Sequence, residues 1–158
     1  LLFCTACRLA PDGIMLSNGP GDPAENVEII EELKKLSEMK IPTFGICLGH
    51  QLLALAHGAV THKLKYGHRG ANQPAENTET GRVYITSQNH GYAVENDSLP
   101  EGEAKVLYVN ANDGTCEGIR YLNEPAFSVQ FHPEACGGPH DTDFLFDEFI
   151  ALIDANKK

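Results

Sequence analysis

Cys47 sits in Gly45-Ile46-Cys47-Leu48-Gly49, after a short apolar run and before His50-Gln51-Leu52-Leu53-Ala54-Leu55-Ala56. A nucleophile framed by glycines at a strand-to-helix turn is the pattern of a nucleophile elbow. The small neighbours permit the tight turn, which holds the reactive atom clear of the backbone. With cysteine in that place, the spacing predicts covalent chemistry through a thioester. A free thiol, with a pKa of about 8.5, is mostly protonated at neutral pH and needs a base. His132-Pro133-Glu134 supplies one. His132 can favour the thiolate and later deliver a proton to the leaving group, while Glu134 can bond the other ring nitrogen and fix the tautomer. Pro133 stiffens the turn between them.

The surrounding pattern predicts the elements that position these groups. Ile14 to Ser17 reads as a short strand entering the loop Asn18-Gly19-Pro20-Gly21-Asp22-Pro23. A helix follows, with Asp22 as cap, Pro23 at its first position, Glu25 as a capping-box acid, and Val27, Ile30, Leu33 and Leu36 as its buried stripe. Ile41 to Ile46 reads as a buried strand, and Gly49 to Ala56 as a short helix stopped near Gly58. Short β segments follow at 61–64, 82–86, 104–109, 116–121 and 126–130. A last helix runs from about Asp143 to Asp154, capped by Asp141 or Thr142, with Leu145, Phe149, Leu152 and Ile153 on one face. This order predicts an α/β domain with a mainly parallel central sheet, in which sites gather at strand C-terminal ends. Cys47 and His132 both fall at such ends.

Composition narrows the partners. The 158 residues suit one domain, and 22 acidic against 12 basic residues give a formal charge of −10. That charge opposes binding to nucleic acid or to an anionic membrane. No apolar run reaches the roughly 18 residues of a spanning helix and no basic leader is visible, so a cytoplasmic chain is expected. Five scattered cysteines, Cys4, Cys7, Cys47, Cys116 and Cys136, read as thiols rather than a disulfide framework. Neither His-Glu-x-x-His nor a double Cys-x-x-Cys occurs, so no metal site is expected. Gly19-Pro20-Gly21 lacks the Lys-Ser or Lys-Thr of a phosphate loop. His50 and His90 read as structural hydrogen-bonding groups. Lys63, Lys65, His68 and Arg69 form a basic cluster, read as a solvated hairpin or, more sharply, as a face toward a partner protein.

Four blocks in order, Leu16 to Pro23, Gly45 to Leu53, Ser87-Gln88-Asn89-His90-Gly91-Tyr92 and Ser128 to Glu134, resemble the class I (triad-type) glutamine amidotransferases over nearly the whole chain. The resemblance implies a flavodoxin-like domain with a small antiparallel β extension. It also implies a glutaminase triad of Cys47, His132 and Glu134. The oxyanion donors would be the backbone N–H groups of Gly21 and Leu48. Substrate contacts would come from Gly19, Gly21, Leu48, Gln51, Asn89, Gly91 and Tyr92. Within the family, Lys65 to Pro74 and Pro133-Glu134-Ala135 with Gly138-Pro139-His140-Asp141 resemble the small, glutamine-hydrolysing subunits of carbamoyl-phosphate synthases. That likeness implies L-glutamine for the substrate and, for the partner, a large synthetase subunit. ATP and Mg would be needed only by that partner, and no cofactor by residues 1–158. Ammonia would serve arginine and pyrimidine biosynthesis. The glutaminase component of anthranilate or aminodeoxychorismate synthase, and a noncatalytic glutamine-binding module, remain open alternatives. The family's separate N-terminal domain and first sheet strand are absent ahead of the glycine loop, for which Leu1 to Leu9 offers at most a partial substitute. With no initiator Met, the sequence reads as a truncated piece of a longer protein.

Overall fold

Strand β2 (Thr43–Ile46) lies at the heart of the site-bearing half of the sheet, and its alternation sets the layers. Phe44 and Ile46 join one core cluster, whereas Gly45 turns to the other face, where a side chain would strike the Gly49 carbonyl. The computed structural model describes residues 2–135 and 140–157; Leu1, Cys136, Gly138 and Pro139 of the sequence reading lie outside the described residues. In chain order the elements are α1 (Leu2–Leu9), β1 (Ile14–Leu16), α2 (Val27–Glu38), β2, α3 (Leu48–Ala56), β3 (Thr61–Asn77), β4 (Val83–Val94), β5 (Ala104–Asn110), β6 (Cys116–Tyr121), β7 (Ala126–Val129) and α4 (Phe144–Asn156).

Among the described residues, seven strands form one sheet in the order β1-β2-β7-β6-β5-β3-β4. β1, β2 and β7 are parallel, with Ile14 opposite Thr43 and Ile46 opposite Val129; the remaining pairings are antiparallel. The α/β class expected from the strand and helix order is the architecture observed, with parallel strands carrying the site and antiparallel strands extending it. Phe127 and Val129 share a cluster with Leu145 and Phe149 of α4. On the opposite face Ala126 packs with Leu53 and Ala54 of α3, and Leu33 and Leu36 of α2 pack on Leu52. With both faces covered, the β2 and β7 strands need no polar alternation, which is why they read as continuous apolar runs.

Several local expectations change. Residues 2–9 form a helix packed on α2, with the Phe3 N–H donating to Glu32 at 2.8 Å, rather than a partial strand. Asp22 does cap, accepting from the Ala24 N–H at 2.9 Å, but it caps a separate 3-10 turn, Pro23–Glu25. α2 therefore starts at Val27 with Asn26 at its N-cap, and Glu25 ends the turn instead of closing a capping box. Val27 is 61% exposed, outside the buried stripe. At α4 the N-cap is Asp143, while Asp141 accepts from the Ile85 N–H at 3.4 Å.

The largest difference is the β3–β4 ribbon. Its strands run far past the segments expected at 61–64 and 82–86, because register shifts between Lys63 and His68 and between Gly70 and Gln73 carry the pairing through a glycine-rich stretch. Gly67, at φ +70°, is where a side chain would meet the His90 carbonyl at 2.4 Å. Such glycines read as turns in sequence and act here as bulges.

Gly49 seats α3 directly on β1: a side chain there would come within 2.3 Å of the Leu16 carbonyl oxygen. Gly49→Ala must push the helix off the strand, and we expect a loss of about 1–3 kcal/mol. Chemical denaturation of the intact protein checks this, accompanied by slower alkylation of Cys47.

Candidate active site

Cys47 lies between the last residue of β2 and the first of α3 with φ +53° and ψ −105°. A non-glycine residue held in this region carries strain of about 1–3 kcal/mol. Two backbone bonds secure the turn: the Cys47 N–H donates to Val129 O at 2.9 Å, and its carbonyl accepts from the Gln51 N–H at 3.2 Å. The side chain is buried.

The neighbouring parallel strand delivers its partner. Because β7 pairs with β2 up to Ile46 and Val129, the chain leaving β7 passes beside Cys47 and brings in Gln130 and His132. The His132 N–H donates to Ser87 O at 2.8 Å, which ties this segment to β4. Its Nδ1 lies 2.7 Å from Glu134 Oε1. Hydrogen bonds to Cys47 and then to Glu134, working against burial, raise the imidazole to about 10. Burial pushes the Glu134 carboxyl up, but its bond to His132 and a backbone N–H leave it below the usual range. His132 is thus an imidazolium at neutral pH, the form that favours a thiolate partner.

Gly19, Gly21, Leu48, Gln51, Asn89, Gly91 and Tyr92 all border one cavity with Cys47, of about 140 Å3. His132 and Glu134 are not in its lining; His132 meets the thiol from outside it. Gly21 has φ +99° and open space where a side chain would stand. At Gly19 a side chain would meet Leu48 Cδ2 at 2.7 Å. The Leu48 N–H, in the first turn of α3, is free of the intrahelical ladder and can serve an oxyanion. Gln51 plays a part the sequence does not suggest. Its Nε2 donates to Tyr92 O at 2.8 Å and to Gln130 Oε1 at 2.9 Å. Both amide hydrogens are therefore spent inside the protein, leaving the carbonyl as the end it can offer a ligand.

Two residues, Gln130 and Arg69, escape the sequence reading, whereas His90 is the hydrogen-bonding group expected. Gln130 is buried and donates from Nε2 to Cys47 Sγ at 3.6 Å; a glutamine between Val129 and Phe131 in a buried run is its signal. His90 borders the cavity, with Nδ1 2.8 Å from Tyr92 O and Nε2 2.9 Å from Gln88 Oε1. Arg69 borders it too, although its sequence neighbourhood reads as a solvated hairpin.

The buried histidines divide by their partners. Burial pushes His50 down to about 3, and its Nδ1 lies 2.8 Å from Ser128 Oγ. Burial likewise lowers His90 to about 4. His68 goes the other way, to about 9, through Glu117 and, against burial, Asp113. Its Nδ1 is 3.2 Å from Glu117 Oε1 and its Nε2 2.8 Å from Asp113 Oδ2. Glu117 is fully buried and accepts from Asn110 Nδ2 at 3.1 Å. Donor atoms of His68, His90 and Glu117 fall within 4.8 Å of one another, a spacing open to a cation. Asp113 and Glu117 each lie within ion-pair distance of a His68 nitrogen, and the nitrogens of His90 face Gln88 and Tyr92 O, so the trio reads as an ion-pair network.

A strand–turn–helix cysteine backed by a His–Glu pair just past the end of the next parallel strand suggests a class, and comparison with known proteins supplies it. The family model for class-I glutamine amidotransferases matches residues 4–152, and the chain belongs to that family. It is 58% identical over 151 residues to the carbamoyl phosphate synthase small chain of Fusobacterium nucleatum, covering 96% of this chain and 42% of the relative. It is 59% identical over 151 residues to the protein of the same name from Bacillus cereus, covering 96% and 41%. The chain thus spans about two fifths of these curated relatives. Among solved structures, a Thermotoga maritima glutamine amidotransferase superposes with TM-score 0.67 at 21% identity, over 91% of this chain and 64% of that one.

The charges of the site generate two predictions. Glu134→Gln removes an acceptor that holds His132 high, so the alkaline fall in Cys47 alkylation by iodoacetate, whose carboxylate is attracted by the imidazolium, should move down by about one pH unit. Turnover should fall less than in His132→Asn, whose loss of acid–base function costs about 10²–10⁴-fold. His68→Gln strands the Glu117 carboxylate and should cost about 3–5 kcal/mol. The folded value of about 9 lies above the ordinary 6.5. The stabilisation is therefore complete below about pH 6.5 and disappears as pH rises through 9. Denaturation curves across pH 6–10 should show that decline in the parent and a flatter profile in His68→Gln.

Proposed function

We propose that this chain hydrolyses the side-chain amide of L-glutamine, with Cys47 as nucleophile, His132 as acid and base, and Glu134 as the group that orients His132. The observation that carries the reading is the hydrogen-bonded chain Glu134–His132–Cys47 at the wall of a small polar cavity. The thiolate attacks the amide carbon, and the N–H groups of Leu48 and Gly21 stabilise the oxyanion. His132 protonates the departing nitrogen, so ammonia leaves and a glutamyl thioester remains. Water then attacks with His132 as base, and glutamate departs as the thiol is restored. Gly19, Asn89, Gly91 and Tyr92 would hold the amino-acid end through backbone and neutral polar groups. No metal or cofactor is required for these steps.

For the fate of the ammonia, the relatives named carbamoyl phosphate synthase small chain favour delivery to a large synthetase subunit, where ATP and Mg would be used. Those names weigh against the anthranilate and aminodeoxychorismate synthase readings. The net charge of −10 and the lack, among the described residues, of a helix long and apolar enough to cross a membrane accord with work in the cytoplasm beside that partner.

The decisive experiment measures glutamate release from L-glutamine by the intact protein, alone and with a large synthetase subunit. Turnover should rise with the partner present, and a glutamine-shaped diazoketone should label one thiol per chain. Cys47→Ala should abolish both. Retained turnover in that variant would overturn the nucleophile assignment, and glutamine binding without hydrolysis by the parent would favour the noncatalytic module.

A further inference from the structure

We propose that Arg69 is the counter-ion for the α-carboxylate of the substrate, and so the residue that lets this cavity select a free amino acid over a bare amide. The proposal rests on the glutaminase reading and adds to it a recognition residue that the motif blocks did not supply.

The cavity contains an asymmetry of charge. Its thiol wall is served by the His132 imidazolium from outside. Among the described residues lining it, Gly19, Leu48, Gln51, Asn89 and Tyr92 bring no cationic side chain, and burial keeps His90 neutral. Arg69 is the remaining lining cation. An α-amino acid brings a carboxylate at the end away from its side-chain amide. Backbone and neutral groups can hold that charge, and a lining cation would add a charge-assisted contact to theirs.

Arg69 is also placed and left available for such a task. It lies opposite Asn89 in the β3–β4 ribbon, between the two register shifts. Its Nη1 donates to Tyr66 O at 2.6 Å, which pins one corner of the guanidinium. Its Nη2 lies 3.7 Å from the point where a side chain at Gly91 would begin, which places the guanidinium beside that glycine of the lining. A guanidinium carries five N–H donors, matched to a carboxylate in a two-point fork. Yet in a chain with 22 acidic residues, no carboxylate among the described residues forms an ion pair with Arg69. Its neighbour His68 has two, Asp113 and Glu117. Arg69 is exposed at the cavity rim and holds no carboxylate of its own, so its fork is open to an anion that enters there.

The test uses the intact enzyme carrying this chain, as parent, Arg69→Gln and Arg69→Lys. Two amides are compared: L-glutamine, and 4-aminobutanamide, which keeps the amine and the amide and lacks the carboxylate. Loss of a charge-assisted contact should raise KM for L-glutamine by about 10–100-fold in Arg69→Gln, with kcat within about twofold. kcat/KM for 4-aminobutanamide should stay unchanged, and Arg69→Lys should recover part of the KM. Equal losses with both amides, or an unchanged KM for L-glutamine, would overturn the proposal. A second readout needs no turnover: the ratio of Cys47 alkylation by iodoacetate to that by iodoacetamide, followed by mass spectrometry of the Cys47 peptide. The ratio should fall several-fold in Arg69→Gln. A ratio equal to the parent's would count against Arg69 as an anion site. Failure of the parent to hydrolyse L-glutamine while the ratio still falls would remove the glutaminase reading and leave the anion site standing.

Discussion

The contact between Gly49 and the Leu16 carbonyl governs the geometry around it. A helix that begins one residue after a strand can do so only if its first turn lies flat on the sheet, and here the clearance excludes even a methyl group. Gly45 meets the same limit from the strand side, where a side chain would stand 2.9 Å from the Gly49 carbonyl oxygen. Squeezed between these two, Cys47 takes a backbone conformation that an ordinary residue avoids. The strain is offset by burial of α3 against the sheet and of α2 against α3. A reactive group on a loop would have been easier to place and poorer in aim.

Electrostatics then sorts chemically identical side chains. Burial without an acid leaves His50 and His90 neutral scaffolding, while a carboxylate neighbour turns His68 and His132 into cations. One of these cations faces the thiol and the other closes the ribbon onto Glu117. The neutral pair borders or backs the cavity without adding charge to it. The Tyr92 carbonyl is the meeting point of the two systems, since it accepts from Gln51 of the helix that follows Cys47 and lies against the ring of His90.

Much of this is legible in the residues. The glycine frame of Cys47, the spacing of His132 and Glu134, and the apolar runs of β2 and β7 carry local signals strong enough to place them beside one another at strand ends. What escapes depends on contacts remote in sequence. Gln51 sits one turn from Cys47, but only the fold shows its donors committed to Tyr92 and Gln130. Arg69 and His68 look like solvated charge because their glycine-rich surroundings have no alternation to reveal a strand. Their opposite fates are decided by Glu117 and the cavity, which lie far along the chain. Asp22 reads rightly as a cap, yet the 3-10 turn it caps has no hydrophobic period to betray it.

The ribbon carries a consequence for how this region can change. His68 and Arg69 are consecutive, so they address different surroundings, one reaching Glu117 and Asp113 and the other the cavity. The two bulges around Gly67 and Gly70 set the count of residues that keeps each on its side. Gain or loss of a single residue between Leu64 and Gln73 would exchange their places, posting the guanidinium beside the buried acid and the imidazole at the pocket mouth. Drift along this stretch is therefore confined to replacing letters; the spelling length is fixed.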